Sequence, residues 1–180
     1  GEVTTATSDP VSLPVTVEAV ADEADLNVSD ATGAEDTAIP LTISSDLTDT
    51  DGSETLSVTI SGVPAGATLS AGTDNGDGSW TLTPDQLEGL TVTPAENSDE
   101  DFQLTVTATT TDGTDTATVS ETLDVTVDAV ADAPTLDVAD ASGTEDTAIP
   151  LDIASGLSDA DGSETLSVTI SGVPAGATLS

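Results

Sequence analysis

The stretch FQLTVTATTTDGTDTATVSETLDVTV (102–127) determines the class of fold. Its first half places Phe102, Leu104, Val106 and Ala108 at every second position, with Gln or Thr between them. Its second half repeats the alternation after the turn sequence TDGTD (111–115), through the apolar positions Ala117, Val119, Leu123, Val125 and Val127. Period-2 alternation on both sides of a glycine-containing turn predicts an antiparallel β-hairpin with one buried face. Glu121 interrupts the apolar positions of the second strand, and we expect a β-bulge there.

The same alternation occurs elsewhere in the chain. The further apolar sets are Ile39, Leu41 and Ile43; Leu56, Val58 and Ile60; Trp80 and Leu82; and Leu90 and Val92. The segments SGVPAG (61–66) and TDNGDG (73–78) have turn composition, and TPDQLEG (83–89) predicts one short helical turn with Thr83 as its N-cap. Seven short strands in about 110 residues predict an all-β fold, specifically an immunoglobulin-like Greek-key β-sandwich.

The chain is internally repetitive. Residues 31–70 and 141–180 differ at only seven of forty positions, at an offset of 110 residues, and LPVTVEAVAD (13–22) corresponds to LDVTVDAVAD (123–132) at the same offset. A fixed period of this kind is typical of tandem domains. We therefore predict that 1–20 is the last strand and linker of a preceding repeat, 21–130 a complete β-sandwich repeat, and 131–180 the N-terminal part of the next repeat.

The charge is entirely of one sign. The chain has 35 Asp and Glu residues and no Lys, Arg or His, which gives a formal net charge of −35. Such a chain has nothing to neutralise phosphates, so binding to nucleic acid or to an anionic membrane is excluded, and no apolar run is long enough for membrane insertion. There is no Cys, hence no disulfide. Mutual repulsion of the carboxylates requires counter-ions.

The acidic residues concentrate in the predicted loops. Those at one end of the sandwich are Glu35, Asp36, Asp99, Glu100, Asp101, Asp128 and Asp132, and those at the other end are Asp49, Asp51 and Asp112. When two repeats stack end to end, Glu35, Asp99, Asp101, Asp128 and Asp132 of one face Asp159 and Asp161 of the next. Ca²⁺ takes six to eight hard oxygen ligands in flexible geometry, which suits this set, whereas Mg²⁺ requires a strict octahedron. The lack of His and Cys argues against zinc, copper and iron.

Several motifs in the same order resemble the tandem cadherin-like extender repeats of bacterial RTX adhesins, giant surface proteins secreted by the type I route. They are VDAVADAP, GTEDTAIPL, SDADGSETLSV, GDGSWTLTP and DFQLTVTATTTD, and they cover essentially the whole chain. The resemblance implies a cadherin-like sandwich array with several Ca²⁺ ions per repeat at the inter-domain junctions. It also implies an extracellular location on a Gram-negative cell surface, anchored to the outer membrane by other parts of the protein. The segment would then be a spacer that projects a distal adhesive domain for attachment and biofilm formation.

The resemblance also implies which residues bind the ions. For the complete junction the ligands are Glu35, Asp99, Asp101, Asp128, Asp132, Asp159 and Asp161. For the preceding junction they are Glu18, Asp22, Asp49, Asp51 and Asp112, and the set extends to Asp36, Glu145, Asp146, Glu54 and Glu164. The linker departs from the cadherin pattern, because Ala129, Val130 and Ala131 separate its two Asp residues. The implied partners are the neighbouring identical repeats of the same chain and ligand-binding domains elsewhere in the full-length protein.

Other interpretations of these features remain open. The Asp-x-Asp-Gly loops are compatible with solvated turns, Glu54 and Glu164 with outward charges that open a strand, and DNGDG (74–78) with either a tight hairpin or a calcium loop. The Thr rows suggest an ice- or sugar-binding face, and a glycan- or protein-binding adhesion module is the alternative function. Such a module needs an exposed aromatic platform, whereas parity places Trp80 and Phe102, the only aromatic residues, in the core. The composition does not indicate an enzyme, because His, Lys, Cys and Tyr are absent from the sequence or lack any pocket signature.

Overall fold

The structure, a computed structural model, describes residues 1–159 and 162–180, and it is nearly all β. The only helical element among these residues is the 3₁₀ turn Pro84–Gln86. None of the described helical segments is long and apolar enough to cross a bilayer. The strands are β1 (Asp25–Ser29), β2 (Ala31–Ala34), β3 (Ile39–Pro40), β4 (Thr42–Asp46), β5 (Glu54–Ser61), β6 (Thr68–Leu69), β7 (Thr73–Asp74), β8 (Ser79–Leu82), β9 (Thr91–Thr93), β10 (Phe102–Asp112), β11 (Asp115–Asp128), β12 (Thr135–Val138) and β13 (Ile153–Gly156).

The strands of residues 25–128 form a sandwich-like arrangement of sheets. One sheet has six strands in the order β2-β11-β10-β5-β8-β7, and the other has three in the order β3-β9-β6. Strand β1 pairs with β4, which continues directly from β3. The predicted hairpin is confirmed as β10 and β11, paired from Phe102 opposite Val125 to Asp112 opposite Asp115.

The bulge predicted at Glu121 is wrong. Glu121 pairs with Val106 in a register that runs without interruption along the whole hairpin. Its side chain is exposed even though it lies on the same side of β11 as the buried Leu123. The polar residue is tolerated because the facing sheet does not cover this part of β11, so no backbone distortion is needed to bring the carboxylate into solvent.

The core lies between the two sheets and is almost wholly aliphatic. The predicted inward positions Ile39, Val58, Ile60, Val92 and Leu104 are all fully buried. The prediction for the two aromatic residues is only partly right: Trp80 and Phe102 pack against the core but remain half-buried at its edge. With aliphatic side chains in every central position, the hydrophobic stabilisation of the repeat comes from β-branched and Leu residues.

Strand β2 determines where the acidic residues lie. It runs parallel to β11, from Ala31 opposite Val125 to Ala34 opposite Asp128. Because β1 instead pairs with β4, the chain changes from one sheet to the other between Ser29 and Ala31. The parallel pairing brings the residue after β2, Glu35, to the same end of the sandwich as the last residue of β11.

The predicted turns are confirmed. The backbone N–H of Thr83 donates to the Gln86 side-chain oxygen (2.9 Å) at the start of the 3₁₀ turn, and Gly89 follows with a φ of 70°. Residues 74–80 form a hairpin, in which Asn75 N–H donates to the carbonyl of Ser79 (3.0 Å).

Residues 131–180 repeat only part of this fold. Strands β12 and β13 pair from Thr135 opposite Gly156 to Val138 opposite Ile153, which is the β1–β4 register moved by 110 residues. Apolar residues that correspond to the core of the first repeat, among them Ile149, Leu151 and Val168, are exposed. Residues 1–20 lie in extended, exposed conformations without assigned strands.

Candidate functional site

A buried glutamate lies at the end of the sandwich that faces the following repeat. Glu35 is only 1% exposed. Its backbone N–H donates to the carbonyl of Asp128 (3.0 Å), and its Oε1 accepts a hydrogen bond from the N–H of Val130 in the linker (2.6 Å). Its second oxygen, Oε2, is buried without a hydrogen-bond partner among the described residues. Glu35 therefore holds the linker with one oxygen and leaves the other available for a ligand.

Other predicted ligands surround this end of the repeat. Asp101 Oδ1 accepts a hydrogen bond from the N–H of Val127 (2.8 Å), which fastens the loop before β10 to the end of β11. Asp36 Oδ1 accepts from the N–H of Asn97 (2.8 Å), and both residues have positive φ, 56° and 54°. The half-buried Asp99 lies in the same loop as Asp101, and Asp128 is exposed at the end of β11. These contacts draw the loop after β9 towards the base of the linker.

The linker is also held from the other side. The N–H of Asp132 donates to Oε1 of Glu164, in the following repeat. Glu164 Oε2 is a second carboxylate oxygen for which the described part of the chain provides no hydrogen-bond partner. Asp159 is 1% exposed, and Asp161 lies outside the described residues. Glutamates from two successive repeats thus bind backbone N–H groups only two residues apart, at Val130 and Asp132.

The opposite end of the complete repeat shows the same contact. Asp22 N–H donates to Glu54 Oε1 (2.7 Å), which is the Asp132–Glu164 contact moved by 110 residues. Glu54 begins β5, as predicted, but the interpretation as an outward charge is wrong, since it is 7% exposed and on the inner face with Val58. Its Oε2 has no hydrogen-bond partner within the ranges that the structure describes.

The Asp-x-Asp loop at this end is a turn closed by its own carboxylates. Asp49 Oδ1 accepts from the N–H of Asp51 (2.9 Å), and Asp51 Oδ1 accepts from the N–H of Ser53 (2.7 Å). The hydroxyl and backbone N–H of Ser53 lower the pKa of Asp51 below its ordinary value of 3.8, so it is ionised at neutral pH. Both carboxylates keep one oxygen free of these turn contacts, and the loop therefore fits either a solvated turn or a contributor of ligands.

The remaining predicted residues are more dispersed. Glu18 is exposed in the segment before the repeat, and Asp112 is half-buried at the end of β10. Glu145 and Asp146 are exposed, unlike the corresponding Glu35, because residues 141–144 form no strand. Over 1–159 and 162–180, no three or more acidic side chains already form a group that holds a metal ion.

The test of whether these residues suit a cation is therefore chemical. Burying an ionised carboxylate without a compensating charge is costly, and a buried charge in a protein is normally paired or bound to metal. The sequence has no Lys, Arg or His to pair with Glu35 or Glu54. Hard carboxylate and carbonyl oxygens are what Ca²⁺ prefers. The donor set fits a calcium ion, provided that side chains rotate to close around it.

Two residues at the linker were missed by sequence reasoning. Asp115 Oδ2 accepts a hydrogen bond from the N–H of Ala21 (3.0 Å), and the hydroxyl of the fully buried Thr110 donates to the carbonyl of Asp22 (2.5 Å). Each lies beside the predicted hairpin turn, where Asp and Thr are ordinary residues. Only the path of the linker across this end distinguishes them.

Comparison of the sequence with protein-family models and with curated proteins found no match.

Proposed function

We propose that this chain is a segment of a calcium-stiffened extender, a spacer that holds an adhesive domain away from a bacterial surface. One observation carries the proposal: Glu35, buried and on a chain without a basic side chain, binds the linker with one oxygen and leaves the other unpartnered within the described residues. A carboxylate in that position requires a cation from solution.

Calcium is the cation that the ligand chemistry favours. The surrounding donors are carboxylate and backbone oxygens only, contributed by loops of different length. Ca²⁺ accepts irregular oxygen cages of this kind, and extracellular calcium modules bind with dissociation constants on the order of 10⁻⁴–10⁻³ M. An affinity in that range responds to extracellular calcium and not to the much lower cytosolic concentrations.

The proposed mechanism of stiffening acts on the linker. Glu35 from the preceding repeat and Glu164 from the following repeat bind N–H groups at Val130 and Asp132. Without a cation, the two carboxylates and their acidic neighbours repel one another, which favours hydration of the glutamates and release of the linker. A calcium ion neutralises the repulsion, and both repeats then hold the same short peptide.

The finer fold that we propose is immunoglobulin-like. Support comes from the adjacent strands β5, β10 and β11 in one sheet, from the β3–β9 pair in the other, and from a first strand divided between two sheets. The β7–β8 hairpin is an addition to the edge of the six-stranded sheet. The resemblance to cadherin-like extender repeats of RTX adhesins supports an extracellular, cell-surface location and a partnership with neighbouring repeats.

A calcium titration of the 180-residue chain tests this function. Trp80 is the only tryptophan and packs against the core of the complete repeat, so its fluorescence follows the unfolding of that repeat. We expect millimolar CaCl₂ to raise the thermal midpoint well above that in NaCl of equal ionic strength, and MgCl₂ to have a much smaller effect. Equal stabilisation by all three salts would show that the carboxylates need only screening, and it would overturn the proposal.

A further inference from the structure

Three carboxylates lie side by side on neighbouring strands at the end of the sandwich that receives the preceding linker. Glu54 of β5 pairs with Asp112 of β10, and Asp112 pairs with Asp115 of β11. Side chains of directly paired residues lie on the same face of a sheet. All three share the parity of the core residues in their strands, so they close the end of the core, and we call them the acidic row.

The preceding linker lies on the acidic row. Ala21 N–H donates to Asp115 Oδ2 (3.0 Å), and Asp22 N–H donates to Glu54 Oε1 (2.7 Å). Thr110, one inward position before Asp112 on β10, donates its hydroxyl to the carbonyl of Asp22 (2.5 Å). Ala21 is itself buried, at 9% exposure. Two successive linker residues are thus fixed by both outer members of the row.

The electrostatics of this arrangement are unfavourable for a chain without cations. Like charges directly opposite each other on adjacent strands are destabilising. Glu54 is 93% buried by its exposed fraction, and its Oε2 finds no hydrogen-bond partner in the described parts of the chain. The N–H contacts use one oxygen of Glu54 and one of Asp115, which leaves the opposite oxygens of the row without compensation.

We propose that the acidic row is a site for a hard divalent cation, Ca²⁺ in the extracellular setting. Its anchor is the buried oxygen of Glu54, and Asp112 and Asp115 supply further oxygens after side-chain rotation. The site lies at the opposite end of the repeat from Glu35 and couples the ion to the linker through Ala21 and Asp22. Glu164, with its contact to Asp132, is the corresponding anchor in the following repeat. The inference rests on the proposed function, to which it adds Glu54, Glu164 and Asp115 as ligands.

The test is isothermal titration of the metal-free 180-residue chain with CaCl₂. The variants are Glu54→Gln, which keeps the shape and the acceptor for Asp22 N–H, and Asp115→Asn. The matched controls are Glu121→Gln and Asp85→Asn, which make the same chemical changes at exposed positions. We expect each row variant to lose one class of ion or to bind it about tenfold or more weakly, and each control to bind within about twofold of the wild type.

Two further readouts keep the result interpretable. The fluorescence of Trp80 in excess chelator shows whether each variant is folded, and Asp115→Asn carries the test if Glu54→Gln is not, because Asp115 is exposed. A wild-type chain that binds calcium while both row variants titrate like it would overturn this inference alone, since the Glu35 site would account for the binding. A wild-type chain that binds no calcium would overturn the proposed function and the acidic row with it.

Discussion

The substitution Glu35→Gln separates the charge of this side chain from its hydrogen bond. Gln has the same shape, and its amide oxygen continues to accept from the N–H of Val130. Glu35 is 1% exposed with one oxygen unpartnered in the described structure, so the change removes a buried negative charge. In excess chelator we therefore expect the variant to be more stable than the wild type.

The size of the effect follows from two opposing contributions. An unsatisfied buried polar group costs about 1–3 kcal/mol, and more when it is charged. For a repeat of this length, about 1 kcal/mol corresponds to roughly 4 °C in the thermal midpoint. Calcium works in the other direction: at about 10 mM, with a dissociation constant of about 0.1–1 mM, one bound ion stabilises the wild type by about 1.4–2.7 kcal/mol. The stability difference between the two proteins should therefore shrink or reverse as calcium is added.

The assay is thermal unfolding followed by Trp80 fluorescence, at 0–10 mM CaCl₂ and constant ionic strength. Glu121→Gln is the control, because it removes the same charge from an exposed position in β11. It should follow the wild type at every calcium concentration. A Glu35→Gln variant that is less stable than the wild type in chelator, or that gains as much from calcium, would refute the reasoning.

Three further predictions concern the scaffold and its turns. Leu104→Ala should lower the free energy of unfolding by about 2–5 kcal/mol in urea denaturation, because Leu104 is fully buried between the sheets. Gly62→Ala should destabilise by well over the roughly 1 kcal/mol of an unfavourable positive φ, since its Cβ would meet a backbone oxygen at 2.5 Å; Gly52→Ala, at a similar φ of 93° with nothing within 4 Å, should show the φ penalty alone, and equal losses would contradict this. The hydroxyl and backbone N–H of Ser79 lower the pKa of Asp77 below 3.8, so the hairpin gains stability above pH 3.8 that disappears as pH falls through the lowered pKa; Ser79→Ala should raise that pKa in an NMR titration of the carboxyl carbon, and an unchanged value would exclude the hydroxyl as the main cause.

Much of the fold was predictable because local signals and tertiary packing agree. Period-2 alternation placed Ile39, Val58 and Leu104 in the core, and the turn residues bounded the strands correctly. The bulge at Glu121 was not a valid inference. Alternation reports the side of a strand on which a residue lies, and it does not report how far the opposite sheet extends over that side.

The site was predictable in its residue types but not in its contacts. Sequence reasoning selected Glu35 and the linker aspartates because carboxylates gathered in loops at one end. The burial of Glu54 could not be inferred, since it depends on the linker crossing that end of the sandwich. Asp115 has the composition of any hairpin turn, and its register opposite Asp112 gains meaning only beside Ala21. Such contacts join residues about ninety positions apart, at a distance where local patterns carry no signal.

Small-angle X-ray scattering from an array of three whole repeats, in millimolar Ca²⁺ and then in excess chelator, tests the central claim most directly. With calcium, the account predicts the scattering of a rod whose maximum dimension is close to the sum of its repeats. With chelator, it predicts a shorter average dimension and the scattering of a flexible chain of domains. A profile that does not change when calcium is removed would contradict the account, because the buried glutamates at Glu35 and Glu164 would then hold the linker without a cation.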